Sequence, residues 1–223
     1  MKAIVFDAFG TLFRVTSGGS ARTILNNIVM AGGIVDESAF RKEWKEYYKD
    51  HTRHNSVFMT EREIFIARIR MFYDRYGVKR DAEKDADRLL EGAFEREAYP
   101  EVRETMEKLR KEHRVFIASN TDNCVLDRVM NKNHVRVDKV YTSENLKCYK
   151  PDAGFFRMIL ADNDLSPRDV LFVGDSVSDD VLGPKALGIK TVWVDRDGTG
   201  DAHGQDYTVF DLKELLPICG IID

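Results

Sequence analysis

The chain is 223 residues long, 43% hydrophobic and 32% charged, the balance of a globular protein that excludes disorder as the main state. At roughly 100–200 residues per domain it holds one large domain or a core with an insertion. A formal net charge of −4 argues against nucleic acid or an anionic membrane as partner, since both need a basic surface, and no apolar run approaches the roughly 20 residues that cross a bilayer.

The first predicted element is a strand over residues 3–6 (AIVF), short and wholly apolar, the pattern of a strand buried on both faces of a parallel sheet. Lys2 leads straight into it, so no secretory signal is expected. Residues 16–95 carry no convincing strand. They show four amphipathic helical patterns near 20–31, 37–50, 60–76 and 81–94, broken at Gly32-Gly33, around His54-Asn55 and at Gly77. This stretch reads as an all-helical insertion, so the sheet domain is expected to be discontinuous, formed by residues 1–15 and 96–223.

After Pro100, residues 101–111 place Val102, Met106 and Leu109 on one helical face. A strand at 115–118 (VFIA) and a weaker one at 137–142 follow. Residues 152–161 form a helix with Phe155, Phe156, Ile159 and Leu160, and Ser166-Pro167 reads as an N-cap with proline at the first helical position. Strands at 170–173 (VLFV) and 191–194 (TVWV) complete the pattern, with Gly188 turning the chain between helix and last strand. Residues 195–206 are read as loop with no catalytic role. Alternating strands and helices predict an α/β domain with right-handed crossovers. Cys124, Cys148 and Cys219 are odd in number and far apart, giving neither a disulfide framework nor a metal-binding pair, so a reducing cytoplasm is the expected compartment. His51 and His54 read as surface histidines.

Ligand sites of open α/β sheets lie at the carboxyl ends of the strands, and there the polar residues gather: Asp7, Ser119-Asn120 and Gly174-Asp175 each end a predicted strand. Asp7, followed by Gly10-Thr11, is a carboxylate placed to act as nucleophile. Ser119 and Asn120 supply a hydroxyl and an amide. Lys150, before Pro151, is biased away from helix and can neutralise Asp7 and a substrate anion. Asp175 and Asp179 are four residues apart; Asp180 beside them reads as a solvated neighbour.

Four segments in this order, VFDAFGTL (5–12), IASN (117–120), YKPD (149–152) and FVGDSVSDD (172–180), resemble the four motifs of the haloacid dehalogenase-like hydrolase superfamily. The resemblance covers the whole sheet domain, and the helical insertion sits where that superfamily places its cap. It implies a Rossmann-like α/β core with an inserted all-helical cap domain and a small-molecule substrate. Asp7 would be the nucleophile, with Ser119 and Lys150 as its catalytic partners and Thr11 and Asn120 binding substrate. It further implies Mg²⁺ held by Asp7, Asp175 and the backbone carbonyl of Phe9, with Asp179 acting behind them.

Position 9 departs from the pattern of the superfamily's phosphatases, which carry a second aspartate two residues after the nucleophile to protonate the leaving group and activate water. Phe9 can do neither, and a positioned acid/base contributes about 10²–10⁴-fold. The aromatic resembles the 2-haloacid dehalogenase branch, where a departing halide needs no proton. So do the Ser-Asn pair and the segment Phe40-Arg41 through Glu46-Tyr47, which makes Arg41 a candidate anion clamp from the cap. Asp175 points the other way, because those dehalogenases work without metal and are neutral there. Asp7, Asp175 and Asp179 against Lys150 leave about −2 at the site, and like charges near 4 Å repel by about 4 kcal/mol at an effective dielectric of 20. That repulsion favours a divalent cation. The expected activity is therefore a Mg²⁺-dependent phosphohydrolase passing through a phosphorylated Asp7. The alternatives are a metal-independent 2-haloacid dehalogenase and a feebly active relative that binds a partner or metabolite.

Overall fold

The computed structural model describes residues 1–15, 19–53, 57–201 and 203–221; His54 lies outside them. The chain forms two compact units, one of residues 1–15 and 96–223, the other of residues 16–95.

The first unit is built on six parallel strands in the order β3-β2-β1-β4-β5-β6. They are β1 (Ala3–Phe6), β2 (Arg114–Ser119), β3 (Lys139–Thr142), β4 (Val170–Gly174), β5 (Lys190–Val194) and β6 (Tyr207–Val209). The alternation of a pleated strand sorts β1 by face. Ile4 and Phe6 join Ile117, Val173 and Val194 on one side; Ala3 and Val5 join Phe116, Ala118 and Phe172 on the other. Both faces are covered by helices, so the central strands are apolar throughout. The first face receives α5 (Val102–Glu112) and α6 (Asn123–Lys132) through Val102, Met106, Leu109, Leu126 and Val129. The second receives α8 (Ala153–Ala161) through Phe155, Phe156, Ile159 and Leu160. Between β3 and α8 runs the short α7 (Ser143–Leu146). The strand order switches direction at β1, which has β2 on one side and β4 on the other, so the carboxyl ends of β1, β2 and β4 come side by side, as the register pairs Phe6 with both Ile117 and Val173. The strand β6 was not foreseen: three residues at the sheet edge are too short to show a pattern.

The second unit is helical: α1 (Gly19–Met30), α2 (Glu37–Arg53), α3 (Glu61–Tyr76) and α4 (Ala82–Ala93). Thr60 and Glu63 form a reciprocal capping box at the start of α3, and Gly77, at φ 65°, ends it in the left-handed conformation that glycine adopts without a Cβ penalty. Asp81 caps α4 by accepting from the Glu83 and Lys84 amides. Ile24, Ile28, Phe40, Trp44, Ile69 and Phe72 make its core. Arg68 is buried in this unit with its guanidinium 3.5 Å from the Trp44 ring centroid, donating to the Trp44 carbonyl at 2.7 Å; burial lowers its pKa to about 9. Among the described residues no helix is long and apolar enough to cross a membrane.

Candidate active site

At the end of β1 the chain turns sharply: the Ala8 carbonyl accepts from the amides of both Leu12 and Phe13, and the Gly10 amide donates to the Phe13 carbonyl. Gly10 has a φ of 97°, and a Cβ there would collide with the Asp175 carboxylate. This loop must therefore carry glycine to lie against the end of β4. Asp7, the residue after β1, is buried and hydrogen-bonds through its amide to the Val173 carbonyl at 2.8 Å.

Lys150 is the hub. Its side chain is 2% exposed, and its ammonium donates to Asp7 Oδ1 at 2.8 Å, to Asp180 Oδ1 at 2.6 Å and to the Ala118 carbonyl at 2.9 Å. All three of its donors are used. Burial alone would lower its pKa, but the charges of Asp180 and Asp7 outweigh that and hold it protonated. The Lys150 backbone is fixed by Asn120, whose Nδ2 donates to the Lys150 carbonyl at 3.0 Å and whose Oδ1 accepts its amide at 2.8 Å. Asn120 thus positions Lys150, and its second N–H is what remains for a substrate. Ser119 is buried at the end of β2.

Asp175 follows β4. Thr11 Oγ1 donates to its Oδ1 at 3.1 Å, and Trp193 Nε1 donates to its backbone carbonyl at 3.0 Å. Burial first, and then the charge of Asp7, push its pKa up to about 7. Thr11 was expected to touch substrate; its hydroxyl goes to Asp175 instead.

Asp180, expected to be a solvated neighbour of Asp179, is instead buried in the site. Residues Val177–Leu182 form a π-helical turn, which widens the helix from i→i+4 to i→i+5. The fifth residue after Asp175 is carried inward, and the fourth is not. Asp180 is 1% exposed, with Oδ1 on Lys150 and Oδ2 accepting the Ser176 amide at 3.0 Å. Gly174 makes room for it, since a Cβ there would strike the Asp180 side chain. Asp179 is half-buried and its Oδ1 accepts from the Ser178 hydroxyl at 2.6 Å. The buried Val181 next to Asp180 is the sequence signal that marks the inward side.

Asp7, Asp175 and Asp180 bring carboxylate oxygens within 4.8 Å of one another. Three carboxylates against one ammonium fit a hard divalent cation, which takes oxygen ligands. Because both oxygens of Asp180 are engaged, Asp7 and Asp175 are the two suited to ligate it.

Arg196, from the loop after β5, was assigned no role by sequence. Its Nη2 donates to the Thr11 carbonyl at 2.7 Å and lies 2.8 Å from Glu101 Oε1, while its guanidinium sits 3.4 Å from the Tyr99 ring centroid. It buttresses the loop that presents Thr11 to Asp175. In the helical unit, Arg41 donates from Nε and Nη2 to Glu37 Oε1, at 2.8 and 2.6 Å, as an i,i+4 surface pair.

A family model of haloacid dehalogenase-like hydrolases matches residues 1–188. An (S)-2-haloacid dehalogenase 4A of Burkholderia cepacia is 27% identical over 98% of this chain and 94% of its own length. A phosphoserine phosphatase of Thermus thermophilus is 36% identical over 30% of this chain and 28% of its own. Among solved structures, a dehalogenase with 23% identity shares the fold at a TM-score of 0.74, over 98% of this chain and 96% of that one.

Proposed function

The chain belongs to the haloacid dehalogenase-like hydrolases, and on that premise we propose that it is a Mg²⁺-dependent phosphohydrolase of a small metabolite, with Asp7 as nucleophile. The observation that carries this reading is Asp175: a second carboxylate beside the nucleophile, with Asp180 making a third within 4.8 Å. With Lys150 as the paired cation the fully ionised cluster would hold −2, and repulsion between charges at that distance is about 3 kcal/mol at an effective dielectric of 20, which is why Asp175 resists ionisation without a cation. An anionic substrate adds to the repulsion.

Mg²⁺ on Asp7, Asp175 and the Phe9 carbonyl would neutralise that charge and the charge of the transferring phosphoryl group. The chain's own residues do the rest. Lys150 holds Asp7 Oδ1, orienting the carboxylate so that Oδ2 is presented for attack. The Oδ2–P bond forms as the P–O bond to the leaving group breaks, and water then displaces phosphate from Asp7. Ser119 and the remaining Asn120 N–H are placed for phosphoryl oxygens. Asp180 keeps Lys150 in place from behind.

A second reading, hydrolytic dehalogenation of a small 2-halo acid by attack of Asp7 on carbon, is favoured by Phe9 and by the full-length similarity to a 2-haloacid dehalogenase. The test is a panel of phosphate monoesters and 2-halo acids, each with Mg²⁺ or with EDTA. Phosphate release that requires Mg²⁺ supports the phosphohydrolase. Chloride release from 2-chloropropionate that persists in EDTA refutes it.

A further inference from the structure

On the sheet face covered by α5 and α6 the chain forms a cleft of about 480 Å³, within the roughly 300–1,000 Å³ of small-molecule sites. Its floor is Met106 of α5 and Val135 of the turn after α6, both buried in the core of that face. Its walls are basic. Arg103 and Arg110 stand two turns apart on one side of α5, and Arg136 joins them from the segment between α6 and β3. Against these three guanidinium groups stand two carboxylates. Glu107 Oε1 accepts from Arg103 Nε at 3.3 Å, and Asp138 Oδ1 accepts from Arg110 Nη2 at 3.0 Å while its Oδ2 accepts the Val115 amide at 2.8 Å. The Arg103–Glu107 pair is exposed on both sides, and such pairs contribute little, so that guanidinium is able to turn to a ligand. The Arg136 side chain makes no ion pair or hydrogen bond among the described residues. One positive charge is thus left uncompensated in the cleft of a chain whose net charge is −4.

His134 adds a ring N–H to the same wall. It follows the cap residue Asn133 in the left-handed conformation, at φ 54°, and the Val135 amide closes the end of α6 on the Met130 carbonyl at 3.1 Å. Glycine is the usual occupant of that place, because a Cβ is crowded there. Here it carries an imidazole that lines the cleft.

We propose that this cleft is a second binding site, for a small molecule bearing two neighbouring phosphoryl groups. A guanidinium presents its donors as a planar fork that takes phosphate oxygens in pairs, and three such forks call for more acceptor oxygens than a single phosphate carries. A nucleic-acid strand suits the surface less, since the basic groups line one cleft rather than a track along the molecule. The site is separate from the chemistry. Arg110 lies in the last turn of α5, which runs into the amino end of β2, and His134 and Arg136 lead into the amino end of β3, whereas Asp7 and Asp175 follow the carboxyl ends of β1 and β4. The bound molecule is therefore not the one hydrolysed.

The test is equilibrium dialysis of the full chain against radiolabelled inorganic pyrophosphate or phosphate. EDTA is present so that no metal recruits either anion to Asp7 and Asp175, with NaCl at about 0.15 M, where exposed charges are screened beyond about 8 Å. Wild type should bind one equivalent of pyrophosphate, and phosphate about 10-fold more weakly. Arg136→Gln, which breaks no ion pair or hydrogen bond among the described residues, should weaken pyrophosphate about 10-fold, the scale of one lost charge-assisted hydrogen bond. Arg103→Gln should do the same, and Arg136→Lys should recover part of the loss. No retention of pyrophosphate by wild type at millimolar concentration, or equal affinity in wild type and both glutamine variants, overturns the proposal. Phosphate bound as tightly as pyrophosphate overturns the assignment of two phosphoryl groups. A single-stranded oligonucleotide that binds more tightly than pyrophosphate, and is lost in the same variants, overturns the small-molecule assignment.

Discussion

Replacing Lys150 with methionine removes a cation that bridges two buried carboxylates, Asp7 and Asp180. Methionine keeps most of the length and apolar volume of the stem, so the change isolates the ammonium. In wild type that ammonium sits 2.8 Å from Asp7 and 2.6 Å from Asp180, with side-chain exposures of 2%, 10% and 1%. Without it, Asp7 and Asp180 face each other and Asp175 with oxygens within 4.8 Å, a repulsion of about 3 kcal/mol per pair at an effective dielectric of 20. Breaking a buried ion pair by deleting one partner costs about 3–5 kcal/mol. For a chain of this size that lowers Tm by about 10 °C. Urea unfolding at pH 7.5 in EDTA reads the loss directly. Millimolar Mg²⁺ should restore part of it by binding the folded state, as should lowering the pH below about 7, where Asp175 takes a proton. A Lys150→Met protein within about 1 kcal/mol of wild type in EDTA would refute the electrostatic account of this cluster.

Asp180→Asn should cost about 3–5 kcal/mol of stability and most of the activity by leaving Lys150 half-paired, whereas Asp179→Asn should stay within about 1 kcal/mol and keep its activity; urea titration and phosphate release separate the two. Asp175 has a folded pKa near 7 against an ordinary value of 3.8, so the folded protein binds more protons across that interval. Stability in EDTA should therefore fall as pH rises from about 4 to 7, and Asp175→Asn should flatten the fall in Tm-against-pH profiles. Arg196→Met should loosen Thr11 and Asp175 and raise the Mg²⁺ concentration for half-maximal activity about 10-fold, the usual scale for a group that orients a ligand. A general acid is worth about 10²–10⁴-fold. Phe9→Asp should recover part of that on alkyl phosphates with Mg²⁺, read as kcat/KM against wild type.

The strands were legible because a strand buried on both faces must be apolar from end to end, so AIVF, VFIA and VLFV stand out, and the polar residue closing each marks the ligand end of the sheet. The helices of residues 16–95 were legible from their apolar spacing and from Gly77. Asp180 was misread because spacing was counted on a regular α-helix, and a π-turn shifts the inward position by one residue. The partners of Thr11, Asn120 and Arg196 were not legible at all. Each is fixed by contacts between segments far apart in the chain, 164 residues in the case of Thr11 and Asp175, and no local pattern encodes them. The Phe9 departure was visible in sequence, but the Arg96 that sits on it was not, since the two lie far apart in the chain.

The most direct test is covalent. Wild type mixed with acetyl phosphate and Mg²⁺, quenched in acid and digested, should yield a phosphoryl adduct on the peptide bearing Asp7, absent in EDTA and in Asp7→Asn. An unmodified peptide with Mg²⁺, together with an ester adduct on Asp7 after 2-chloropropionate in EDTA, would contradict the account.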